Sequence, residues 1–113
     1  MKKIILVAFA LCAMYSCTTQ KLYSWSNYES TSYNYLKANN DKTSAELVKS
    51  YQEIINKQNG SRGIVPPGVY ADYGFLLLQL NQTNEGKAML MKEIELYPES
   101  KVFIDRILKK LEK

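Results

Sequence analysis

Few side chains in this sequence combine the types and the spacing that enzymatic chemistry requires. The chain contains no histidine, which removes the usual general base of catalytic triads and the commonest protein ligand for transition metals. Its one Gly-Ser pair, Gly60-Ser61, lies in a predicted loop, and no serine occupies a G-x-S-x-G nucleophile elbow. We therefore expect a protein that is not an enzyme and that holds no metal and no cofactor.

The paired carboxylates Glu93 and Glu95 have a structural interpretation. They lie two positions apart on a predicted helix, so their side chains point in different directions. Glycoside hydrolysis needs two acids fixed across one bond, and nothing in the pattern encloses a substrate between them. If Glu93 faces inward between helices, its carboxylate needs a partner such as Arg106 or a tyrosine hydroxyl.

Cys17 is the residue for which the sequence most clearly predicts a covalent modification. It follows Ser16, and this pair closes an apolar run from Ile4 to Met14 that begins after two lysines. The run is shorter than the about 20 residues that a membrane-spanning helix needs. This order resembles the signal peptide of bacterial lipoproteins, in which the cysteine is lipidated and becomes the first residue of the mature chain. The alternative is an ordinary cleaved signal with an incidental cysteine.

The lipoprotein interpretation divides the chain into a signal peptide (1–16), a lipidated tether (17–21) and a helical domain (22–113). A cysteine that carries several acyl chains holds a protein stably on a membrane. Thr18, in place of an acidic residue after the cysteine, favours the periplasmic face of the outer membrane. The modest net charge of +4 argues against a polyanionic partner, so we expect no binding to nucleic acid.

Helical periodicity dominates the rest of the chain. A first helix is predicted from Lys21 to Lys37, although the alternation of Tyr33 and Tyr35 leaves a short strand open. Thr43 and Glu46 have the spacing of a capping box, which predicts the start of a second helix at Thr43. The third helix is expected at about Pro67 to Gln82, and the fourth and fifth follow the apolar positions Leu90, Ile94, Tyr97, Phe103, Ile104, Ile107, Leu108 and Leu111. The prediction is an all-α fold of about five short helices in antiparallel hairpins.

The second hairpin resembles a tetratricopeptide repeat (TPR), whose helices carry small residues at fixed positions and end at a proline. Gly74, Gly86 and Pro98 are equally spaced, and Tyr70 occupies a large apolar position before the first glycine. Small residues let paired helices approach closely, and proline ends the second helix. The block Pro66-Pro67-Gly68 is expected to form the entry to this TPR-like hairpin. Glu93 departs from the repeat pattern, which usually has alanine there.

Four motifs together are similar to a family of small Gram-negative lipoproteins of the DUF4810 type, a domain of unknown function. They are the Ser16-Cys17 signal, Leu22-Tyr23-x-Trp25-x-x-Tyr28, the block from Pro66 to Gly74, and Tyr97-Pro98-Glu99-Ser100. The resemblance implies a helical periplasmic lipoprotein, often encoded beside other lipoproteins that include relatives of the curli secretion channel.

Aromatic residues crowd the start of the predicted domain, at Tyr23, Trp25, Tyr28, Tyr33 and Tyr35. They could form a binding surface for protein, glycan or lipid, because tyrosine and tryptophan combine apolar area with a polar tip. The favoured interpretation is that they are the buried face of the first helix, with further tyrosines on its rim, because aromatic residues at helical spacing usually belong to a core. The leading hypothesis is a non-catalytic scaffold, anchored to the membrane through acylated Cys17, that binds an envelope protein such as another lipoprotein. The alternative is contact with glycan or peptidoglycan through the tyrosine-rich first helix.

Overall fold

A computed structural model describes residues 1–14 and 19–112 of the chain. Every regular element within these ranges is helical, which confirms the all-α prediction. The described residues form six α-helices: α1 (Lys2–Met14), α2 (Tyr28–Lys37), α3 (Asp41–Asn56), α4 (Val69–Gln79), α5 (Thr83–Leu96) and α6 (Lys101–Leu111), with a short 3₁₀ helix at Pro98–Ser100. The five predicted helices correspond to α2–α6, and the residues that could have formed a strand at Tyr33 and Tyr35 are in α2.

The apolar run near the start of the chain forms α1, and all of its side chains are exposed. No helix in the described ranges has the length and apolar character needed to cross a membrane. Cys17, the predicted lipidation site, lies outside the described residues.

Helices α2 and α3 form the first antiparallel hairpin. The Thr31 hydroxyl donates to Ser50 Oγ at 2.8 Å, and the Ser26 hydroxyl donates to Glu53 Oε2 at 2.6 Å. The earlier residue, Ser26, bonds the later partner, Glu53, and the later residue, Thr31, bonds the earlier partner, Ser50. This order is that of antiparallel neighbours.

Two predicted helix starts in this hairpin are wrong. The first helix begins at Tyr28 rather than Lys21, because Ser26 has a φ of 49°, a left-handed conformation that a right-handed helix cannot contain. The capping box of α3 uses Asn40 rather than Thr43 as its first member. The Asn40 side chain accepts from the Thr43 amide, and the Thr43 hydroxyl accepts from the Asn40 amide, so the helix begins earlier than predicted.

Helices α4 and α5 form the second hairpin, and their two glycines face each other. A Cβ at Gly74 would lie 2.8 Å from the Gly86 carbonyl oxygen, and a Cβ at Gly86 would lie 2.8 Å from the Gly74 carbonyl oxygen. Gly74 also approaches Leu90, while Gly86 approaches Leu78. These paired positions run in opposite directions along the chain, so the hairpin is antiparallel and the two backbones touch at the glycines.

The third predicted helix starts two residues later than expected, because Pro66-Pro67-Gly68-Val69 is a turn. The Val69 amide donates to the Pro66 carbonyl at 3.3 Å. Gly68 has φ 90° and ψ −16°, the values of the third residue of a type II turn, where glycine is favoured and proline commonly precedes it. Pro66 is buried and Pro67 is exposed. The proline block is therefore the rigid entry to α4, as its sequence suggested.

The main core lies where α3 and α4 meet. Its members are the buried residues Leu47, Tyr51, Ile54, Val65, Val69, Tyr70, Tyr73, Leu76 and Leu77. Leu90 of α5 and Ile104 of α6 are fully buried as well. The apolar stripe predicted for the last helix is only partly covered, since Phe103 is 63% exposed. Pro98, at the first position of the 3₁₀ helix, separates α5 from α6.

Candidate functional site

The structure separates the predicted aromatic surface into a buried part and an exposed part. Trp25, Tyr28, Tyr51 and Tyr73 form a continuous series of ring contacts, with centroids 5.6, 5.5 and 5.5 Å apart. Tyr28 is half-buried within this series, so it is a packing residue, as the core interpretation expected. Aromatic pairs at such distances stabilise a core beyond the area that they bury.

An open groove of about 270 Å³ lies between α2 and α4, and we call it the α2–α4 groove. Leu47, Tyr51 and Leu76 form its floor, each 4% exposed. Leu36 and Phe75 stand on its walls, 82% and 47% exposed. The groove therefore has an apolar floor that is already packed and apolar walls that are open to contact.

Polar groups also line the α2–α4 groove: Ser32, Asp72 and Gln79, together with the hydroxyls of Tyr28, Tyr35 and Tyr51. The Tyr35 hydroxyl donates to Gln79 Oε1 at 3.0 Å, which links α2 to α4. Burial, followed by smaller effects of Tyr28 and Asp72, raises the pKa of the Tyr51 hydroxyl above its ordinary value. Tyr51 is therefore protonated at neutral pH, as an ordinary tyrosine also is. Such a surface can bind an apolar side chain or an amphipathic helix.

A second surface surrounds the start of the domain. Lys21, Leu22, Tyr23 and Trp25 line an open groove of about 690 Å³. Leu22 is 58% exposed and Trp25 is 43% exposed. The sequence predicted that both residues belong to the first helix, which is wrong because residues 21–27 are not helical.

A third surface is more polar. Ser26, Asn27, Glu29, Ser30 and Tyr33 line an open groove of about 500 Å³, and Tyr33 is 63% exposed. Of the five aromatic residues that the sequence singled out, Tyr33 and Trp25 line adjoining grooves that share Ser26 and Glu29. Tyr35 lines the α2–α4 groove, and Tyr23 and Tyr28 are half-buried.

Within the described ranges, no group of three or more acidic or cysteine side chains is arranged to hold a metal ion. The family described as "Domain of unknown function (DUF4810)" matches residues 22–107. This chain belongs to that family. No curated protein matches the chain, and no solved structure matches it. The match covers α2 to α5 completely and most of α6, so the helical hairpins are the family's domain.

Glu93 of this DUF4810 domain is 2% exposed and has a different partner from the expected Arg106 or tyrosine. Its Oε1 accepts from the Gly68 amide at 2.7 Å, while its Oε2 has no hydrogen-bond partner among the described residues. Close by, the Tyr97 hydroxyl donates to the Val65 carbonyl at 2.6 Å. The end of α5 therefore holds the turn that leads into α4, and the carboxylate has a structural role.

We expect Glu93→Ala to destabilise the DUF4810 domain much more than Glu93→Gln. The alanine variant leaves the Gly68 amide without its acceptor and opens a void, which together cost about 2–4 kcal/mol. Glutamine keeps the acceptor oxygen in place and should change the free energy of unfolding by less than about 1 kcal/mol. Urea denaturation followed by circular dichroism measures both values.

The matched control is Glu95→Ala, which removes an exposed carboxylate from the same helix. It should leave the urea midpoint close to that of the unmodified protein. Equal midpoints for Glu93→Ala and Glu95→Ala would contradict the assigned role of the buried carboxylate.

Proposed function

We propose that this DUF4810 protein is a non-catalytic, lipid-anchored adapter on the periplasmic face of the outer membrane, where it binds another cell-envelope protein. The observation that supports the proposal most strongly is the α2–α4 groove, because Leu36 and Phe75 are open to contact above a packed apolar floor. Exposed apolar residues that line a groove are typical of protein-binding surfaces. The signal-like N-terminal run and Ser16-Cys17 support the anchor and the location.

The TPR-like arrangement supports the same proposal. Helical-repeat proteins bind partners on extended surfaces created by stacked helix pairs, and α2 and α4 are the first helices of two successive hairpins. Repeats also stabilise one another by stacking, and two hairpins with one further helix are close to the minimum number. A partner in the α2–α4 groove would stabilise the domain as well as being bound by it.

We expect Phe75→Asp to abolish recovery of the envelope partner. A carboxylate on the wall of the α2–α4 groove would have to lose its water against the apolar surface of the partner, which is costly without a counter-charge. Affinity purification from detergent-solubilised envelopes should recover a stoichiometric partner with the unmodified chain. The yield of that partner should fall at least tenfold with Phe75→Asp, a loss of about 1.4 kcal/mol or more of binding free energy.

The control for this experiment is Phe103→Asp, which places the same charge at an exposed phenylalanine of α6 outside the groove. It should retain the partner, and thermal melting of both variants checks that each is folded. Repeated recovery of the unmodified protein alone would count against an adapter. Equal losses in the two variants would count against the α2–α4 groove as the binding site.

Contact with peptidoglycan is the second candidate function, and the polar groove beside Tyr33 supports it. An exposed aromatic ring flanked by hydroxyl, amide and carboxylate groups suits a sugar, because the ring offers an apolar face while the polar groups accept and donate hydrogen bonds. Sedimentation with purified peptidoglycan distinguishes the two functions. Co-sedimentation without other proteins, lost in Tyr33→Ala, would favour the glycan; an adapter stays in the supernatant.

A further inference from the structure

The segment that follows the tether is fixed to the domain by its backbone. The Lys21 carbonyl accepts from the Ser61 amide at 3.0 Å, and the Leu22 carbonyl accepts from the Arg62 amide at 3.2 Å. Gln58 extends the attachment, since its side chain bonds both the amide and the carbonyl of Ser24. Residues 21–24 therefore belong to the folded domain and cannot move away from it as a flexible linker would.

Attachment at Lys21 leaves a short path to the predicted anchor. Four residue steps separate Cys17 from Lys21, and an extended chain spans at most about 3.6 Å per residue, or about 14 Å in total. The polar headgroup layer of one leaflet is about 5–7 Å thick. An acylated Cys17 at the membrane surface would therefore keep Lys21, and whatever lies beside it, close to the headgroups.

The side chains at this place have the composition of a membrane-interface surface. Leu22 and Trp25 are 58% and 43% exposed, and Lys21 and Arg62 are exposed beside them. The Arg62 guanidinium lies over the Tyr23 ring, 6.0 Å from its centre. Tryptophan and tyrosine prefer the membrane–water interface, and lysine and arginine extend apolar stems that end in charges suited to lipid phosphates. Glu29 is the acidic residue that lines the groove beside Trp25, and it lies on the α2 side of that groove.

We propose that Lys21, Leu22, Trp25 and Arg62 form a docking surface for the phospholipid headgroup region of the membrane that carries the anchor. We call these four residues the N-terminal surface. The proposal rests on the proposed acylation of Cys17 but not on the adapter function. It orients the domain with the start of α2, at Tyr28, near the membrane, and Leu36 lies eight residues further, about 12 Å along that helix.

Trp25 supplies the test, since it is the only tryptophan in the chain. The processed full protein, purified from membranes, is reconstituted in vesicles of phosphatidylethanolamine and phosphatidylglycerol that contain no other protein. One set of vesicles carries lipids brominated near the headgroup end of the acyl chain, because bromine quenches tryptophan on contact. We expect Trp25 fluorescence to fall in brominated vesicles relative to plain ones.

Two variants make the result specific to the N-terminal surface. Leu22→Asp combined with Arg62→Glu replaces an apolar and a cationic side chain of this surface by carboxylates. This double variant should abolish the loss of fluorescence. Both side chains are exposed, and the backbone bonds to Lys21 and Leu22 do not depend on them, so we expect the double variant to fold. Circular dichroism checks this. The matched control, Leu36→Asp, places a carboxylate at an exposed leucine at the far end of α2 and should leave the quenching unchanged.

Each other outcome overturns a stated part of the proposal. Absence of the protein from the membrane fraction would contradict the acylated anchor and the orientation that depends on it. Equal fluorescence in brominated and plain vesicles would exclude docking while leaving the anchor and the adapter function intact. A blue-shifted emission without quenching would indicate that Trp25 is covered by a second copy of the chain instead of lipid, which also overturns the proposal.

Discussion

Gly74→Ala is expected to lower the free energy of unfolding by about 2 kcal/mol, even though alanine is the better helix former by about 1 kcal/mol. The new methyl group would lie 2.8 Å from the Gly86 carbonyl oxygen and 3.1 Å from the Leu90 amide nitrogen. Both are backbone atoms, which cannot rotate out of the way as a side chain can. Thermal unfolding should show a fall of about 8–16 °C for a domain of this size.

Gly86→Ala and the double variant show whether the contact between α4 and α5 is the cause. Each methyl group alone would push the two helices apart, so the second one should cost less than the first. We expect the effects to be less than additive by about 1 kcal/mol in a double-mutant cycle. Glu95→Ala, at an exposed position of α5, is the control for a surface change. An unchanged or raised melting temperature for Gly74→Ala would contradict the close backbone contact.

Cys17→Ala should abolish incorporation of labelled fatty acid and move the protein from the membrane fraction to the soluble fraction. Each methylene of an acyl chain contributes about 0.8 kcal/mol to membrane binding, so losing several chains outweighs any contact that the domain itself makes. Cys12→Ala is the matched control, because Cys12 lies in α1 inside the predicted signal peptide. It should leave both labelling and fractionation unchanged. Fatty-acid labelling that persists in Cys17→Ala would exclude Cys17 as the lipidation site.

The parts of the fold that sequence predicted are those in which a local pattern has a single physical meaning. The interval between Gly74 and Gly86 predicted a close helix contact, and the structure brings these two backbones together. The Pro-Pro-Gly block predicted a rigid entry to α4, and Gly68 adopts the positive φ that its turn requires. Both predictions depend on glycine and proline, whose backbone preferences are set by the residue itself. Neighbouring side chains therefore have little effect on these two features.

The errors arose where a local pattern had two meanings. Leu22 and Trp25 have helical spacing with Tyr28, yet the left-handed Ser26 separates them from α2. Thr43 can begin a capping box or complete one, and Asn40 three residues earlier takes the first role. A tertiary bond from Ser26 to Glu53 accompanies the first outcome, whereas the second depends on local bonds between Asn40 and Thr43.

The candidate site could be predicted only in part. The side chains of the tyrosine-rich segment divide between packing contacts and adjoining open grooves. The α2–α4 groove is built from Leu36 and Phe75, which are far apart in sequence, and its shape depends on how two hairpins stack. No local periodicity encodes that relation. The attachment of Lys21 and Leu22 to the loop at Ser61 and Arg62 could not be predicted from the sequence either. The bonds join backbone atoms, which are the same in every residue except proline.

Crosslinking inside cells tests the adapter function most directly. A photo-reactive phenylalanine analogue at position 75 would lie on the wall of the α2–α4 groove, and the same analogue at position 103 serves as the control on α6. If the protein is an adapter, irradiation should give one discrete crosslinked envelope protein from position 75 and none from position 103. Crosslinks from position 75 to lipid or peptidoglycan alone, or the same products from both positions, would contradict that function.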